Sequence, residues 1–344
     1  MVSYLTEALV DQGHDVTLFA SGDSETRAEL VAICPEALRL GTCTDPMAHH
    51  ILQLQEIMER VHEFDVIHFH TDYLHFPMSL HTGATNVTTL HGRLDLPELR
   101  PLYRKFPTMP LVSISKSQRQ PLPMAGWVDT VYHGLPVSLY RKGEGKGGYV
   151  AFIGRISPEK RVDRAIEIAG RAGINIKIAA KIDRADEAYF EEKIRPLFRL
   201  PHVEYVGEIG EKEKNDFLGN AAALIFPIDW PEPFGMVMIE AMACGTPVIA
   251  YRNGSVPEVI DHGKSGFIVT DMHEAIDALK HIDKLSREQC REIFEQRFSA
   301  ARMASDYVKV YERLLHTKGQ VVELQPHAYG EKQLYTEEMG TKRA

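Results

Sequence analysis

Residues 232–250, EPFGMVMIEAMACGTPVIA, predict a loop, a helix and a buried strand in direct succession. The first four residues include a proline and a glycine, and strong helix formers follow from Met236 and Val237 onward. A glycine turn then leads into the apolar run 247–250. A helix that passes through a short turn into an apolar strand is typical of parallel sheets, so this stretch predicts an α/β fold.

Two glutamates, eight positions apart, flank the start of that helix. Glu232 lies between two prolines, which restrict its direction, and Glu240 lies within an apolar helical face. The unpaired N–H groups and positive dipole end at Gly235 suit a phosphate, and carboxylates accept hydrogen bonds from hydroxyls. The pattern therefore predicts a nucleotide-sugar site. The alternatives are an exposed loop acid at Glu232 and a structural ion pair at Glu240.

The segment GRISPEK, residues 154–160, supplies two cations directly after the predicted strand 149–153. Arg155 lies at the end of the strand and Lys160 at the start of the next helix, for which Ser157 is a candidate N-cap. Cations in these two places can neutralise a diphosphate. Solvated surface charges are the alternative reading of the same spacing.

Two further strand ends are candidate binding positions. His91 closes the predicted strand 87–91, where an imidazole can donate to a substrate oxygen, although a hydrogen-bonded core histidine fits the same pattern. Gly207 follows the predicted strand 203–206, and the backbone from there to Ile209 is placed to meet a nucleotide base. A plain βα turn explains that second position equally well.

The sequence gives little support to a metal site. His68 and His70 are two apart on a predicted strand and so point to the same side, but no carboxylate or cysteine completes an evident ligand set. The sequence also lacks Asp-x-Asp, Gly-x-Ser-x-Gly and the P-loop pattern. We therefore expect no metal and no cofactor, and we exclude an α/β-hydrolase and a P-loop NTPase.

Apolar β-rich runs alternate with amphipathic runs along most of the chain, which predicts two Rossmann-like domains. We expect an N-terminal domain over residues 1–135, a Gly- and Lys-rich linker over 136–148 and a second domain over 149–297. The predicted strands lie at 15–20, 66–70, 87–91, 111–115, 149–153, 174–179, 203–206, 223–226 and 247–250. The predicted helices lie at 2–11, 49–62, 162–171, 185–196 and 298–316, and 319–344 reads as a polar tail.

Composition restricts the compartment and the partners. The hydrophobic fraction of 44% is ordinary for a globular protein, and no run is long enough to span a membrane. The N-terminus does not resemble a signal peptide, and the cysteines lack CxxC spacing, which predicts reduced thiols and a cytoplasmic location. The net charge of −9 argues against nucleic acid. The small basic cluster of Arg100, Arg104 and Lys105 allows at most peripheral membrane contact.

The motifs together resemble the retaining GT-B glycosyltransferases of the family 4 type. The similar segments in the second half are GRISPEK, VEYVGEI, ALIFPIDWPEPFGMVMIEAMACGTPVIA and GSVPEVI. The first half is similar through QGHDVTLFASGDS, DVIHFHTD and TTLHG, so that the resemblance covers roughly residues 1–318. It implies two Rossmann-like domains facing across a cleft, with the terminal helices over 298–318 crossing back to the N-terminal domain.

The resemblance also implies roles for individual residues. Arg155 and Lys160 would hold the donor diphosphate, Glu240 the ribose hydroxyls, and the backbone near Gly207 and Ile209 the base. The transferred sugar would lie near His91, and it would be held by Glu232 and by the backbone of Phe234, Gly235, Met236 and Val237.

The family transfers a hexose-type sugar with retention of configuration, without a metal and without a firmly assigned enzymic nucleophile. The acceptor, whether a sugar, a lipid or a small molecule, is not named by the sequence, nor are the donor base and its sugar. A non-catalytic nucleotide-sugar binder is the main alternative, and a GT-B epimerase or phosphorylase is a third.

The resemblance further implies a β-strand and a glycine-rich loop ahead of the helix that starts at Val2. This sequence begins at that helix, and we interpret it as a truncated copy or as one with a mis-assigned start.

Overall fold

Parallel strands and covering helices make up the part of the chain, residues 1–319, that the computed structural model describes. The strands are β1 (Thr17–Ser21), β2 (Glu29–Cys34), β3 (Ile67–Phe69), β4 (Asn86–Leu90), β5 (Leu111–Ser113), β6 (Trp127–Thr130), β7 (Tyr149–Arg155), β8 (Asn175–Lys181), β9 (Val203–Gly207), β10 (Leu224–Phe226), β11 (Val248–Tyr251) and β12 (Gly266–Val269). The helices are α1 (Val2–Asp11), α2 (Pro46–Glu59), α3 (Phe76–Thr82), α4 (Leu99–Lys105), α5 (Val162–Ala172), α6 (Glu187–Tyr189), α7 (Glu211–Gly219), α8 (Met236–Ala243), α9 (Val256–Val259), α10 (Met272–Lys280), α11 (Arg287–Phe298) and α12 (Ala300–Gly319).

The strands form three sheets in which every named pair is parallel. The N-terminal half has a two-stranded sheet, β1-β2, and a four-stranded sheet in the order β3-β4-β5-β6. The C-terminal half has a six-stranded sheet in the order β12-β11-β10-β7-β8-β9. Because parallel strands need covering elements on both faces, their sequences read as continuous apolar runs rather than as alternating ones.

The order of the six-stranded sheet places a crevice between β7 and β10. The chain runs outward from β7 to β9, returns to β10 beside β7, and then runs outward in the opposite direction to β12. At such a switch point the connections leave the carboxyl ends of the two central strands on opposite faces, which opens a crevice between them. Arg155 ends β7 there, and the loop before α8 follows β10.

Two buried clusters cover the faces of this sheet. One contains most of α8, whose Met238, Ile239 and Met242 are fully buried. The other contains the apolar stripe of α5, a strongly amphipathic helix, packed on β7 and β8. The position of the helix that follows Gly235 is therefore fixed by its packing in the core.

The last helix crosses from the C-terminal half back to the N-terminal half. Tyr307 and Val310 of α12 are buried in one cluster with α1 and with β4 and β5. The Arg302 guanidinium donates to the carbonyls of Tyr132 and His133, at 2.7 and 2.9 Å. The predicted return of the terminal helices is confirmed, with one break between α11 and α12.

Some local predictions were wrong. The helix predicted over 185–196 is a broken series in which α6 leads into the π-helical turn Phe190–Ile194. Phe190 and Ile194, at the two ends of that turn, are both buried in the core. Ser157 takes the N-cap position before a short 3-10 helix but makes no side-chain capping bond. The strands β2, β6 and β12 were not predicted, and the tail from residue 320 lies outside the described residues.

Within residues 1–319, no helix is both long and apolar enough to cross a membrane.

One buried histidine makes the stability of the N-terminal half depend on pH. His75 is fully buried, stacks on Phe69 and is paired with Ser79 and Thr88, at 2.7 Å in each case. Burial lowers its pKa to about 3. Between that value and 6.5 the unfolded chain binds a proton that the folded chain does not, so the free energy of unfolding falls as the pH falls.

We therefore expect this histidine to lower the free energy of unfolding by roughly 1.4 kcal/mol for each unit by which the pH falls within that window. Urea unfolding at about pH 7 and about pH 5 measures this loss. In His75→Gln, we expect the difference in free energy of unfolding between the two pH values to be smaller by the contribution of this one imidazole. An identical pH dependence in the variant would contradict this assignment.

Candidate functional site

A cavity of about 560 Å³ lies between the carboxyl ends of the N-terminal sheet and the β7/β10 crevice. Nine of the residues singled out from the sequence line it, namely His91, Arg155, Lys160, Glu232, Phe234, Gly235, Met236, Val237 and Glu240. The structure thus brings together groups from three separate segments of the chain, around residue 91, over 155–160 and over 232–240. Gly207 and Ile209 are not among its lining residues, and their contact with a base stays a prediction.

Lys160 and Glu232 form an ion pair at the centre of the cavity wall. Trp230 donates its indole N–H to the same carboxylate oxygen, at 2.8 Å, and its ring lies 5.3 Å from the Lys160 ammonium. The Glu232 side chain is only 12% exposed. The alternative of an exposed loop acid is therefore wrong, because this carboxylate is held in a fixed position beside a cation.

Gly235 turns the chain into α8. Its φ of 75° and ψ of 65° are left-handed, a conformation that favours glycine, and the first helical residues are Met236 and Val237. These residues line the cavity, so the helix N-terminus faces it as predicted. A positive dipole end at this position attracts an anionic ligand group.

The segment after β11 packs against the loop that carries Glu232 and is hydrogen-bonded to it. Ser255 donates its backbone N–H to the Glu232 carbonyl, at 3.0 Å, and its hydroxyl to the Phe234 carbonyl, at 2.8 Å. Gly254 has a φ of 53°, and a Cβ at this position would come within 2.3 Å of the Glu232 carbonyl oxygen. The close approach of the two backbones therefore requires glycine here.

Arg155 lies at the rim of the cavity. Its guanidinium is bonded to Glu159 at 2.6 Å and lies 3.6 Å from Asp183 and from Asp186. The hydrogen bond to Glu159 raises its pKa above the ordinary value, and its side chain is 46% exposed. This cation lines the cavity while it is paired with acidic groups of the same half.

Glu240 pairs with a lysine that the sequence reasoning missed. The Nζ of Lys214, on α7, lies 2.8 Å from Oε1 of Glu240, and both side chains line the cavity. The structural ion pair considered for Glu240 is thus present, and it faces the cavity rather than the core. Its partner lies 26 residues away on a different helix, which no local pattern indicates.

The N-terminal wall of the cavity contains a pair of stacked histidines. The ring of His133 is nearly parallel to that of His91, with centroids 5.3 Å apart, and it meets the Phe234 ring edge to face, with centroids 4.9 Å apart. Burial lowers the pKa of His91 to about 4 and the pKa of His133 well below its ordinary value, so both rings are neutral near pH 7. The sequence reasoning missed His133, which follows β6, a strand it also missed.

Arg93 and Trp230 are further lining residues that the sequence reasoning missed. Arg93 directly follows the quoted TTLHG segment and is bonded to Asp95 at 2.7 Å. Trp230 lies within the quoted WPEPFG segment, so its proximity to Glu232 was a signal available in the sequence. No group of three or more histidine, cysteine, aspartate or glutamate side chains within residues 1–319 is arranged to hold a metal ion.

Both halves of the chain match families of known proteins. Residues 141–304 match the family described as Glycosyl transferases group 1, and residues 1–119 match the one described as Glycosyltransferase Family 4. The chain belongs to these glycosyltransferases. The two matched regions are the two halves whose sheets meet at the cavity.

Individual relatives agree with this assignment. An uncharacterized glycosyltransferase of Methanocaldococcus jannaschii is 30% identical over 195 residues, which is 54% of this chain and 53% of that protein. The chain spans about half the length of the curated relatives it matches.

Solved structures show the same fold. A glycosyltransferase of avilamycin A biosynthesis superposes with a TM-score of 0.69 at 23% identity, covering 92% of this chain and 89% of its own. An Anabaena protein crystallised with UDP and glucose gives a TM-score of 0.69 at 18% identity, covering 87% and 100% of the two chains. The predicted GT-B fold, with two Rossmann-like domains across a cleft, is confirmed.

The contact between Gly254 and Glu232 gives a test of how the site is held. We expect Gly254→Ala to lower the free energy of unfolding by about 1–2 kcal/mol for the left-handed backbone and by about 1–3 kcal/mol more for the steric overlap. Gly263→Ala is a matched control, because Gly263 has a φ of 78° and a Cβ there meets nothing within 4 Å. Equal losses in the two variants, measured by urea unfolding, would show that the close approach contributes nothing.

Proposed function

We propose that this glycosyltransferase moves a hexose-type sugar from a nucleoside diphosphate sugar to an acceptor hydroxyl, with retention of configuration and without a metal. The observation that carries the proposal is the cavity in which Lys160, paired with Glu232, lies beside the N-terminus of α8. One wall offers positive charge to a phosphate, and the same wall offers a fixed carboxylate to hydroxyls.

The diphosphate takes the positive wall. Lys160, Arg155 and the first N–H groups of α8 are the groups that stabilise its negative charge, and stabilisation of this kind is strongest in a site with little water. Lys160 shares its charge between Glu232 and the phosphate, since an ammonium has three donors. That contact couples phosphate binding to the position of the carboxylate.

The two glutamates take hydroxyl groups of the donor. Glu232, whose one oxygen is bound by Trp230 and Lys160, keeps a second oxygen for the transferred sugar. Glu240 accepts from the ribose hydroxyls, and its ion pair with Lys214 holds the carboxylate in place. The Anabaena structure with UDP and glucose supports a uridine donor as the first to test.

The reaction needs no group beyond the two substrates. The bond from C1 of the sugar to the β-phosphate oxygen breaks, and a bond from C1 to the acceptor oxygen forms on the same face. The acceptor proton passes to the departing phosphate oxygen, whose charge the cations stabilise. His91, neutral near pH 7, donates a hydrogen bond to the sugar and does not take the proton.

We also propose that the two domains divide at 136–148, and that the protein works in the cytoplasm. The loop between β6 and β7 covers that range, and all four cysteines have free thiols, which supports a reducing compartment.

Donor binding provides the first test. We expect wild-type protein titrated with UDP-, GDP- and ADP-sugars to bind one of them, and Lys160→Met to weaken that binding about ten- to a hundredfold, because a charged hydrogen bond to phosphate is lost. Lys177→Met is the matched control. Lys177 pairs with Glu204, and neither residue lines the cavity.

Calorimetric titration measures both variants. No binding of any donor by the wild type, or equal losses in the two variants, would overturn the proposal. Binding with neither donor hydrolysis nor transfer to any of a panel of acceptor sugars would leave a non-catalytic binder. Interconversion of the donor sugar without an acceptor would indicate an epimerase.

Retention provides a second test. With an α-linked donor we expect an α-linked product, since attack and departure occur on the same face. The proton NMR coupling of the new anomeric centre distinguishes the two configurations. A β-linked product would contradict same-face attack and would require a base on the opposite side of the sugar.

A further inference from the structure

His91 is hydrogen-bonded to a second histidine from the neighbouring strand. Its Nε2 lies 2.9 Å from Nδ1 of His70, which follows β3, the strand paired with β4. His70 does not line the cavity, whereas His91 does. The bond commits one nitrogen of His91 and leaves its Nδ1 as the nitrogen that can meet a ligand.

Packing holds both rings in this geometry. The His70 ring lies on His68, with centroids 4.1 Å apart, as expected for two residues on one side of a strand. His68 is fixed in turn by bonds to Tyr311 and Thr89, at 2.8 and 2.7 Å. On the other side the stacked ring of His133 limits rotation of His91.

The two paired rings are neutral near pH 7, since burial lowers the pKa of each. A neutral imidazole has one donor and one acceptor nitrogen. If two neutral rings share one hydrogen bond, the tautomer of one fixes the tautomer of the other. The protonation of His91 on the cavity side is therefore coupled to the tautomer of His70.

We propose that His70 is a positioning residue that donates its Nδ1–H to Nε2 of His91, so that His91 presents Nδ1–H to a sugar oxygen in the cavity. This inference rests on the proposed function for the identity of the ligand, but the tautomer itself is a property of the ligand-free protein. His70 acts through His91 and does not touch the substrate.

Nitrogen-15 NMR of the histidine side chains in the ligand-free protein tests the tautomer directly. We expect His91 to be protonated at Nδ1 and not at Nε2. In His70→Gln, whose amide can still donate to His91, we expect the same tautomer, and in His70→Leu we expect a mixture. Wild-type His91 protonated at Nε2 would overturn the proposal, whether or not either variant folds.

Kinetics then separates positioning from structural support. We expect His70→Leu to lower kcat about tenfold, because one hydrogen bond to the sugar is lost, with KM for the donor little changed, and His70→Gln to restore most of the loss. His75→Gln is the control, a buried histidine that does not contact His91, and it should leave kcat of the folded protein unchanged.

Equal losses of kcat in His70→Leu and His70→Gln would overturn the positioning role. A wild-type protein that binds no donor would refute the proposed function, while the NMR result would still decide the tautomer.

Discussion

The site depends on the close approach of two backbones behind it. Gly254 lies against the Glu232 peptide, and Ser255 bonds to the carbonyls of Glu232 and Phe234. These contacts fix the loop after β10, whose end is the left-handed Gly235 and hence the start of α8. Glu232 lies on this loop and Glu240 on the helix that follows it, and Lys160 and Lys214 reach these two glutamates through ion pairs. Without these contacts the loop would be mobile. Ligand binding would then have to order it, and the lost conformational entropy would weaken the affinity.

The two glutamates in the cavity wall are each paired with a lysine. Glu232 and Glu240 have side chains that are 12% and 11% exposed, and each has a lysine partner in the same wall. A carboxylate so far removed from water stays charged only when it is paired, and removing one partner leaves the other uncompensated. In the proposed complex, the donor phosphate joins an existing ion pair as a third charged group, so the net charge of −9 does not argue against an anionic ligand.

The sequence predicted those site residues whose partners in space are also close to them in the chain. The loop, the helix start and the two glutamates lie within residues 232–250, and Arg155 and Lys160 lie within one short motif, so local pattern was sufficient. Lys214, His133 and the His70–His91 bond come from distant segments joined by sheet order, which no local pattern contains. The same limit applies to 185–196, where the structure has a π-helical turn over Phe190–Ile194 that no local pattern indicates.

One segment connects the two halves of the cavity. Glu258, three residues beyond Ser255, accepts the backbone N–H groups of Lys116 and Ser117, at 2.7 Å each, and the Tyr132 hydroxyl at 3.0 Å. The loop that fixes the donor wall therefore continues into a carboxylate that binds the N-terminal half beside His133. Because both contacts belong to GSVPEVI, a shift of this segment moves the donor wall and the histidine wall together. Together with the return of α12, this segment holds the wall that carries Glu232 against the wall that carries His91.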